Sequence, residues 1–230
     1  MADFLAGEII PIDKPYRMSS FGALARVRGM LSRTLGRRIK IGHAGTLDPL
    51  ATGVLILCTG RATKRIEEFQ AHTKEYTATL QLGSTTASFD LEHPIDATFP
   101  TEHITEQLLL DTLNRFKGEI MQVPPAYSAC KIGGDRAYKL KRQGNEPELA
   151  AKHVTISEIE LKEFRSDVMQ ADIRVVCGKG TYIRSLARDI GQALNSGAHL
   201  TALRRTRVGD IDETQCIPLE GFQEWLSAQL

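Results

Sequence analysis

Asp48 lies in the stretch Gly42-His43-Ala44-Gly45-Thr46-Leu47-Asp48-Pro49-Leu50-Ala51-Thr52-Gly53-Val54-Leu55, which holds three glycines and a proline directly after the acid. The glycines permit tight turns and Pro49 fixes φ, so the stretch predicts a bent, rigid loop rather than a helix. A loop of that shape presents its carboxylate as a candidate reacting group; the bland alternative is an Asx-turn in which Asp48 caps its own loop. Arg184 falls in the first turn of a predicted helix, where a cation opposes the macrodipole at a cost of a few tenths of a kcal/mol unless a carboxylate compensates it. Asp48 is an acid available for that role. Tyr76 opens a predicted strand on its core-facing side, so it is either a core aromatic or, where that face opens onto Asp48, part of a site.

The elements around these residues can be read from periodicity. Ile9 to Lys14 reads as a short strand ended by Pro15, and Ser19 or Ser20 can cap a helix with Phe21, Leu24, Val27 and Leu31 inward. Val54 to Cys58 fits a fully buried strand, and Arg61 to Arg65 could begin a helix. Tyr76, Ala78, Leu80 and Leu82 alternate with Thr77, Thr79 and Gln81 in a further strand. Thr101 to Gly118 predicts a helix with Ile104, Leu108, Leu109, Leu113 and Phe116 inward and Gly118 as its C-cap. Gln122 to Ala129 is extended and stiffened by Pro124 and Pro125, and leads through the Gly133-Gly134 turn to a basic patch of Lys139, Lys141 and Arg142. Ile173, Val175 and Cys177 alternate in a strand that ends at Gly178-Lys179-Gly180. Thr181 is the expected cap of the next helix, whose stripe is Ile183, Leu186, Ala187, Ile190 and Leu194.

At 230 residues and 42% hydrophobic content the chain can bury an ordinary core. Net charge is only +1, yet charge is segregated: Arg26 to Arg65 carries nine Lys/Arg against Asp48 alone, and Arg174 to Arg207 seven against Asp189. Seven acids face two bases from Thr85 to Glu119, and five face none from Val208 to Leu230. The pattern fits a protein that grips phosphates on one side, with solvated charge runs as the alternative. Cys58, Cys130, Cys177 and Cys216 have no metal-ligand spacing and read as reduced, mostly buried thiols of a cytoplasmic protein, with no structural zinc. No apolar run is long enough to span a bilayer and the N-terminus lacks a signal-peptide pattern.

The Asp48 stretch resembles the catalytic motif of the TruB-type tRNA pseudouridine synthases. Lys14-Pro15 with Ser19-Ser20, Lys74-Glu75-Tyr76, Pro124-Pro125 with Ser128-Ala129 and Lys131, Gly134 to Tyr138, Lys179 to Ala187 and Leu203 to Thr206 follow in the family's order. The resemblance covers roughly residues 9 to 210 and is that of a bacterial tRNA pseudouridine-55 synthase. It implies a mixed α/β (α+β) fold with a largely antiparallel central sheet flanked by helices and loops. Residues 1–210 would form the catalytic domain and 211–230 a short acidic tail, too short for the RNA-binding PUA domain of many relatives. Arg17 stands where the family usually has glycine, so the first turn is expected to take another conformation, and Ala87 occupies a place often acidic.

The resemblance further implies isomerisation of uridine 55 in the T-arm of tRNA, with no cofactor, no metal, no membrane and no obligate protein partner. Asp48 is then the essential carboxylate, acting covalently or as a base, Arg184 its bidentate partner, and Tyr76 the residue that stacks on the target base. Tyr182 and Leu203 line the uracil pocket, and His43 fills the space left by the everted nucleotide. Lys64, Arg37 and Arg38, with Arg33, are expected to meet phosphates. The competing readings are a relative that works inside a guide-RNA particle, a non-catalytic RNA-binding or tRNA-folding module, and a retaining glycosidase. The last would want a second carboxylate about 5 Å away.

Overall fold

The computed structural model describes residues 2–128, 130–132, 135–137, 143 and 149–229. The Gly133-Gly134 turn and the basic patch of Lys139, Lys141 and Arg142 lie outside the described residues. In chain order the elements are β1 (Ile9–Lys14), α1 (Ser20–Thr34), β2 (Ile41–Ala44), β3 (Thr52–Thr59), α2 (Ile66–Ala71), β4 (Lys74–Leu82), β5 (Ser84–Thr86), β6 (Ile95–Thr98), α3 (Glu106–Asn114), β7 (Gly118–Gln122), β8 (Lys131–Ile132), β9 (Asp135–Arg136), β10 (Lys152–Arg165), β11 (Gln170–Cys177), α4 (Ile183–Ala193), β12 (Ala198–Val208), β13 (Ile211–Asp212), β14 (Ile217–Pro218) and α5 (Phe222–Gln229). The fold is mixed α/β with mostly antiparallel pairing, as expected; β1–β14 and β3–β12 are parallel. Two compact units divide the chain, Met1–Tyr76 with Leu203–Leu230 and Thr77–Ala202.

In the first unit β3 is the central strand. It pairs antiparallel with β1 and β2 and parallel with β12, with Arg205 opposite Gly53. Val54 to Cys58 are wholly buried, because both faces of the strand are covered. Val54, Ile56 and Cys58 pack with Ala44, Ala62, Phe69 and Val208, while Leu55 and Leu57 point to the opposite face. Residues 211–230 belong to this unit, where β13 pairs with β12 and β14 with β1. The helix expected from Arg61 begins as a 3-10 turn, Gly60–Arg65, before α2.

Ser19 caps α1 by accepting from the Gly22 amide. Phe21 is not inward as its spacing suggested: it is 64% exposed, since in the first turn the buried stripe starts from Ser20, Ala23 and Leu24. Arg17 has a φ of +59°, in the left-handed region that favours glycine.

In the second unit β11 pairs antiparallel with β10, and β10 with β7. The predicted helix over 101–118 is shorter: Thr105 is the N-cap, α3 ends at Asn114 with Arg115 as C-cap, and Gly118 opens β7. Ile104, Leu109 and Leu113 are buried, whereas Leu108 is exposed. The α4 stripe is buried as predicted. Its N-cap, however, is Tyr182, with no side-chain cap bond, because the Thr181 hydroxyl donates back to the Gly178 carbonyl (3.1 Å). The four cysteines are free thiols, three of them buried. Among the described residues no helix is long and apolar enough to cross a membrane.

Candidate active site

The Asp48 loop joins β2 to β3 in the first unit and is irregular, so few of its backbone groups can join a ladder. Side chains from elsewhere take their place. The buried Ser20 hydroxyl donates to the Leu47 carbonyl (2.8 Å) and accepts from the Leu47 amide (2.7 Å). The Ala51 amide closes a turn onto the Asp48 carbonyl at 3.1 Å. Lys14 ends β1 with its side chain wholly buried, and its ammonium donates to the carbonyls of Pro15 (2.9 Å), Met18 and Pro49 (3.4 Å). Arg205, also buried, donates from Nε to the Val54 carbonyl (2.7 Å) and from Nη2 to that of Gly45 (3.3 Å). Two buried cations therefore hold both ends of the loop through its carbonyl oxygens.

Burial pushes the Lys14 ammonium down to about 8, against the raising influence of Asp48; Arg205 adds to the lowering. That mutual influence puts Asp48 in the field of the Lys14 cation. Gly53 carries a φ of +97°, and a Cβ there would collide with the Arg205 carbonyl oxygen, so only glycine lets β12 approach β3 this closely.

The other site residues predicted in the first unit fall on distinct elements. His43 sits on β2 opposite Leu57 and is half-buried. Tyr76 is buried in β4, and Leu203 is half-buried in β12. Lys64, Arg37 and Arg38 are exposed, Lys64 on the 3-10 turn before α2 and the two arginines after α1. Arg26, Arg33, Lys40 and Arg61 are exposed too, so the first basic run is largely a solvent-facing cationic surface.

The second basic run is different. Arg174 pairs with Glu158 and Glu160, Arg188 with Asp189, Arg204 with Asp13 and Glu213, and Arg207 with Glu75. Arg184 and Arg205 are buried. Most of that run is thus internal wiring rather than an open face.

Tyr182 and Arg184 belong to the second unit. Arg184 is buried in the first turn of α4, donating from Nη1 to the Ser88 carbonyl (3.1 Å) and from Nη2 to that of Tyr127 (2.9 Å). Its Nε lies 3.7 Å from a carboxylate oxygen of Asp90. Asp90 is a carboxylate the sequence did not single out; it is buried and accepts from the Ser88 hydroxyl (2.6 Å) and the Glu92 amide (3.0 Å). The Tyr182 backbone is held at both ends by the buried Gln122 side chain, whose Oε1 accepts from the Tyr182 amide (2.8 Å) and whose Nε2 donates to its carbonyl (3.2 Å). Lys14, Ser20, Arg205, Asp90 and Gln122 are the residues missed by sequence reasoning as supports. The available signal was their position in or beside the motifs, since no periodicity marks them.

The pattern of the family described as "TruB family pseudouridylate synthase (N terminal domain)" matches residues 32–183. That of the "tRNA pseudouridylate synthase B C-terminal domain" matches residues 184–229. The chain is 60% identical over 228 residues to the tRNA pseudouridine synthase B of Phocaeicola vulgatus, covering 99% of this chain and 96% of the relative. It is also 60% identical over 230 residues to that of Bacteroides thetaiotaomicron, with the same coverage. Among solved structures it resembles a chain of a Cbf5-Nop10-Gar1 complex, with a TM-score of 0.70 and 28% identity over 99% of this chain. A chain of an H/ACA RNP bound to a substrate RNA containing 2'-deoxyuridine gives a TM-score of 0.67 at 26% identity. This chain spans 57% and 56% of the length of those two solved chains. A full-length match at this identity, on a mixed α/β fold that builds a clamped acidic loop, places the chain in the TruB family of pseudouridylate synthases.

Proposed function

We propose that the protein isomerises uridine 55 in the T-arm of tRNA to pseudouridine. The observation that carries this reading is the 60% identity to proteins named tRNA pseudouridine synthase B across 99% of the chain, a span that includes the Asp48 loop. The reaction breaks the C1′–N1 glycosidic bond, turns the uracil and joins C5 to C1′. Every atom of the base is retained except that a proton leaves C5 and one is gained at N1.

Asp48 is the essential carboxylate, acting on the sugar or the base. The fixed loop supports that role, because Lys14, Ser20 and Arg205 hold the backbone on either side of Asp48 before substrate arrives. Arg184 is its proposed guanidinium partner and Tyr76 the aromatic that stacks on the base, with Tyr182 and Leu203 lining the uracil pocket. The target uridine must leave its stack to react, and His43 occupies the vacated space. Lys64, Arg37 and Arg38, all exposed, meet phosphates.

The test is incubation with an unmodified tRNA transcript and mapping of pseudouridine by position. Asp48→Asn is expected to abolish product while keeping most tRNA affinity, since the phosphate contacts stay. Comparable turnover by that variant removes Asp48 from the mechanism, and product at another uridine refutes the T-arm assignment.

A further inference from the structure

The turn between β1 and α1 and the first turn of α1 each expose an aromatic side chain that the proposed chemistry does not use. Tyr16 is 49% exposed, and Phe21 is 64% exposed although phenylalanine is among the residues most often buried. Between them Arg17 is exposed, with its guanidinium 5.6 Å from the Tyr16 ring centroid. Its φ of +59° is a conformation that costs a non-glycine residue ~1 kcal/mol. The first turn of α1 carries no acid, so the positive end of that helix is not neutralised there.

This turn is tied to the Asp48 loop from both flanks. On one side Lys14 bonds the carbonyls of Pro15, Met18 and Pro49, and on the other Ser20 bonds both backbone groups of Leu47. The segment that carries Tyr16, Arg17 and Phe21 is therefore hydrogen-bonded to the loop that carries Asp48. Rings with a cation beside them are the chemistry that binds unpaired nucleotides, by stacking on the bases and pairing with the phosphates.

We propose that Tyr16, Arg17 and Phe21 form a stacking platform for unpaired nucleotides of the substrate RNA that flank the reacting uridine. The proposal rests on the reading of the protein as an RNA uridine isomerase. Tyr16 and Phe21 supply faces for bases, and Arg17 supplies a phosphate contact. The strained backbone of Arg17 is retained because the guanidinium is needed where glycine would fit better.

The experiment uses the full chain and an unmodified tRNA transcript, and measures Kd, its salt dependence, KM, kcat and thermal midpoint for Tyr16→Ala, Phe21→Ala and Arg17→Gly. Val168→Ala, a change at another exposed apolar residue, is the control. Tyr16→Ala and Phe21→Ala are each expected to raise Kd and KM about tenfold, from the loss of one base stack, with less than a twofold change in kcat. Arg17→Gly is expected to raise the thermal midpoint and still weaken binding, with the log–log salt slope shallower by about 0.7. Because that variant relieves strain, weaker binding by it cannot come from a damaged fold.

Kd values within twofold of the parent for all three variants overturn the proposal. So does a fall in kcat at unchanged Kd, which would make the turn a support for the Asp48 loop alone. If the parent binds tRNA but forms no pseudouridine, the isomerase reading fails while the Kd series still decides whether this surface holds RNA.

Discussion

The Lys14 ammonium makes a stability prediction with a defined pH window. Its side chain is wholly buried, and burial lowers it from 10.5 to about 8. Below pH 8 folded and unfolded chains both hold the proton, and the penalty for burying the charge is present in full. Between about 8 and 10.5 the unfolded chain still holds a proton that the folded chain has released, so stability rises with pH. The interval from about 8 to 10.5 corresponds to ~3 kcal/mol.

Two thiols act in the opposite sense. Burial pushes Cys58 up to about 11 and Cys216 up to about 12 from 9.0, so the stability their neutral forms contribute is present in full below pH 9 and is lost progressively as pH rises from 9 through those values. The comparison is therefore made against Lys14→Met, which fills similar volume without charge and retains both thiols. Urea unfolding of the two proteins at intervals from pH 7 to 10.5 is expected to show the parent gaining on the variant, by about 1 kcal/mol between pH 8 and 9 and by ~3 kcal/mol over the whole window. Parallel profiles would refute the reasoning, since they would mean that Lys14 keeps an ordinary affinity for its proton and is not desolvated beside the Asp48 loop.

Further outcomes follow from single contacts. Arg184→Lys cannot reproduce the fork that reaches the Ser88 and Tyr127 carbonyls, and is expected to lose ~2 kcal/mol of stability and at least tenfold in kcat; an unchanged rate would count against a role for the guanidinium plane. Asp90→Asn keeps the shape that accepts from Ser88 and Glu92 but removes the charge facing Arg184, so kcat should fall with little change in KM, measured by steady-state pseudouridine formation. Gly53→Ala places a methyl against the Arg205 carbonyl at a φ of +97° and is expected to cost about 3 kcal/mol or more, read as a drop in thermal midpoint or in folded yield.

What could be read from the sequence was what neighbours in the chain decide. The Asp48 loop followed from glycine and proline chemistry, and β3, β4 and the α4 stripe from periodicity, because burial of one face imposes its spacing on consecutive residues. Errors arose where a distant partner decides. Phe21 fits the helical spacing of the core, yet no spacing tells that the first turn of α1 turns that position outward. Nor does local spacing reveal the left-handed backbone of Arg17, which lies between the tethers made by Lys14 and Ser20. The run from Arg174 to Arg207 looked like a phosphate-binding face, but composition records charge without recording the acids that meet it from other strands.

The supports of the candidate site share one physical origin. A loop that must present a carboxylate cannot bury its backbone in a ladder, and its carbonyl oxygens need donors that reach in from outside. A serine can satisfy one such pair, as Ser20 does for Leu47 across 27 residues of chain. Oxygens at the loop's ends are served instead by Lys14 and Arg205, whose long side chains bring several donors each from strands on other parts of the first unit. A cation in that role does something a neutral donor could not: Lys14 fixes the backbone and at the same time interacts electrostatically with Asp48. Lys14 thus links stability to chemistry. Replacing Lys14 with a neutral isostere removes a charge that interacts with Asp48 as well as a support of the fold, whereas the Lys14 stability profile reports chiefly the desolvation of the ammonium.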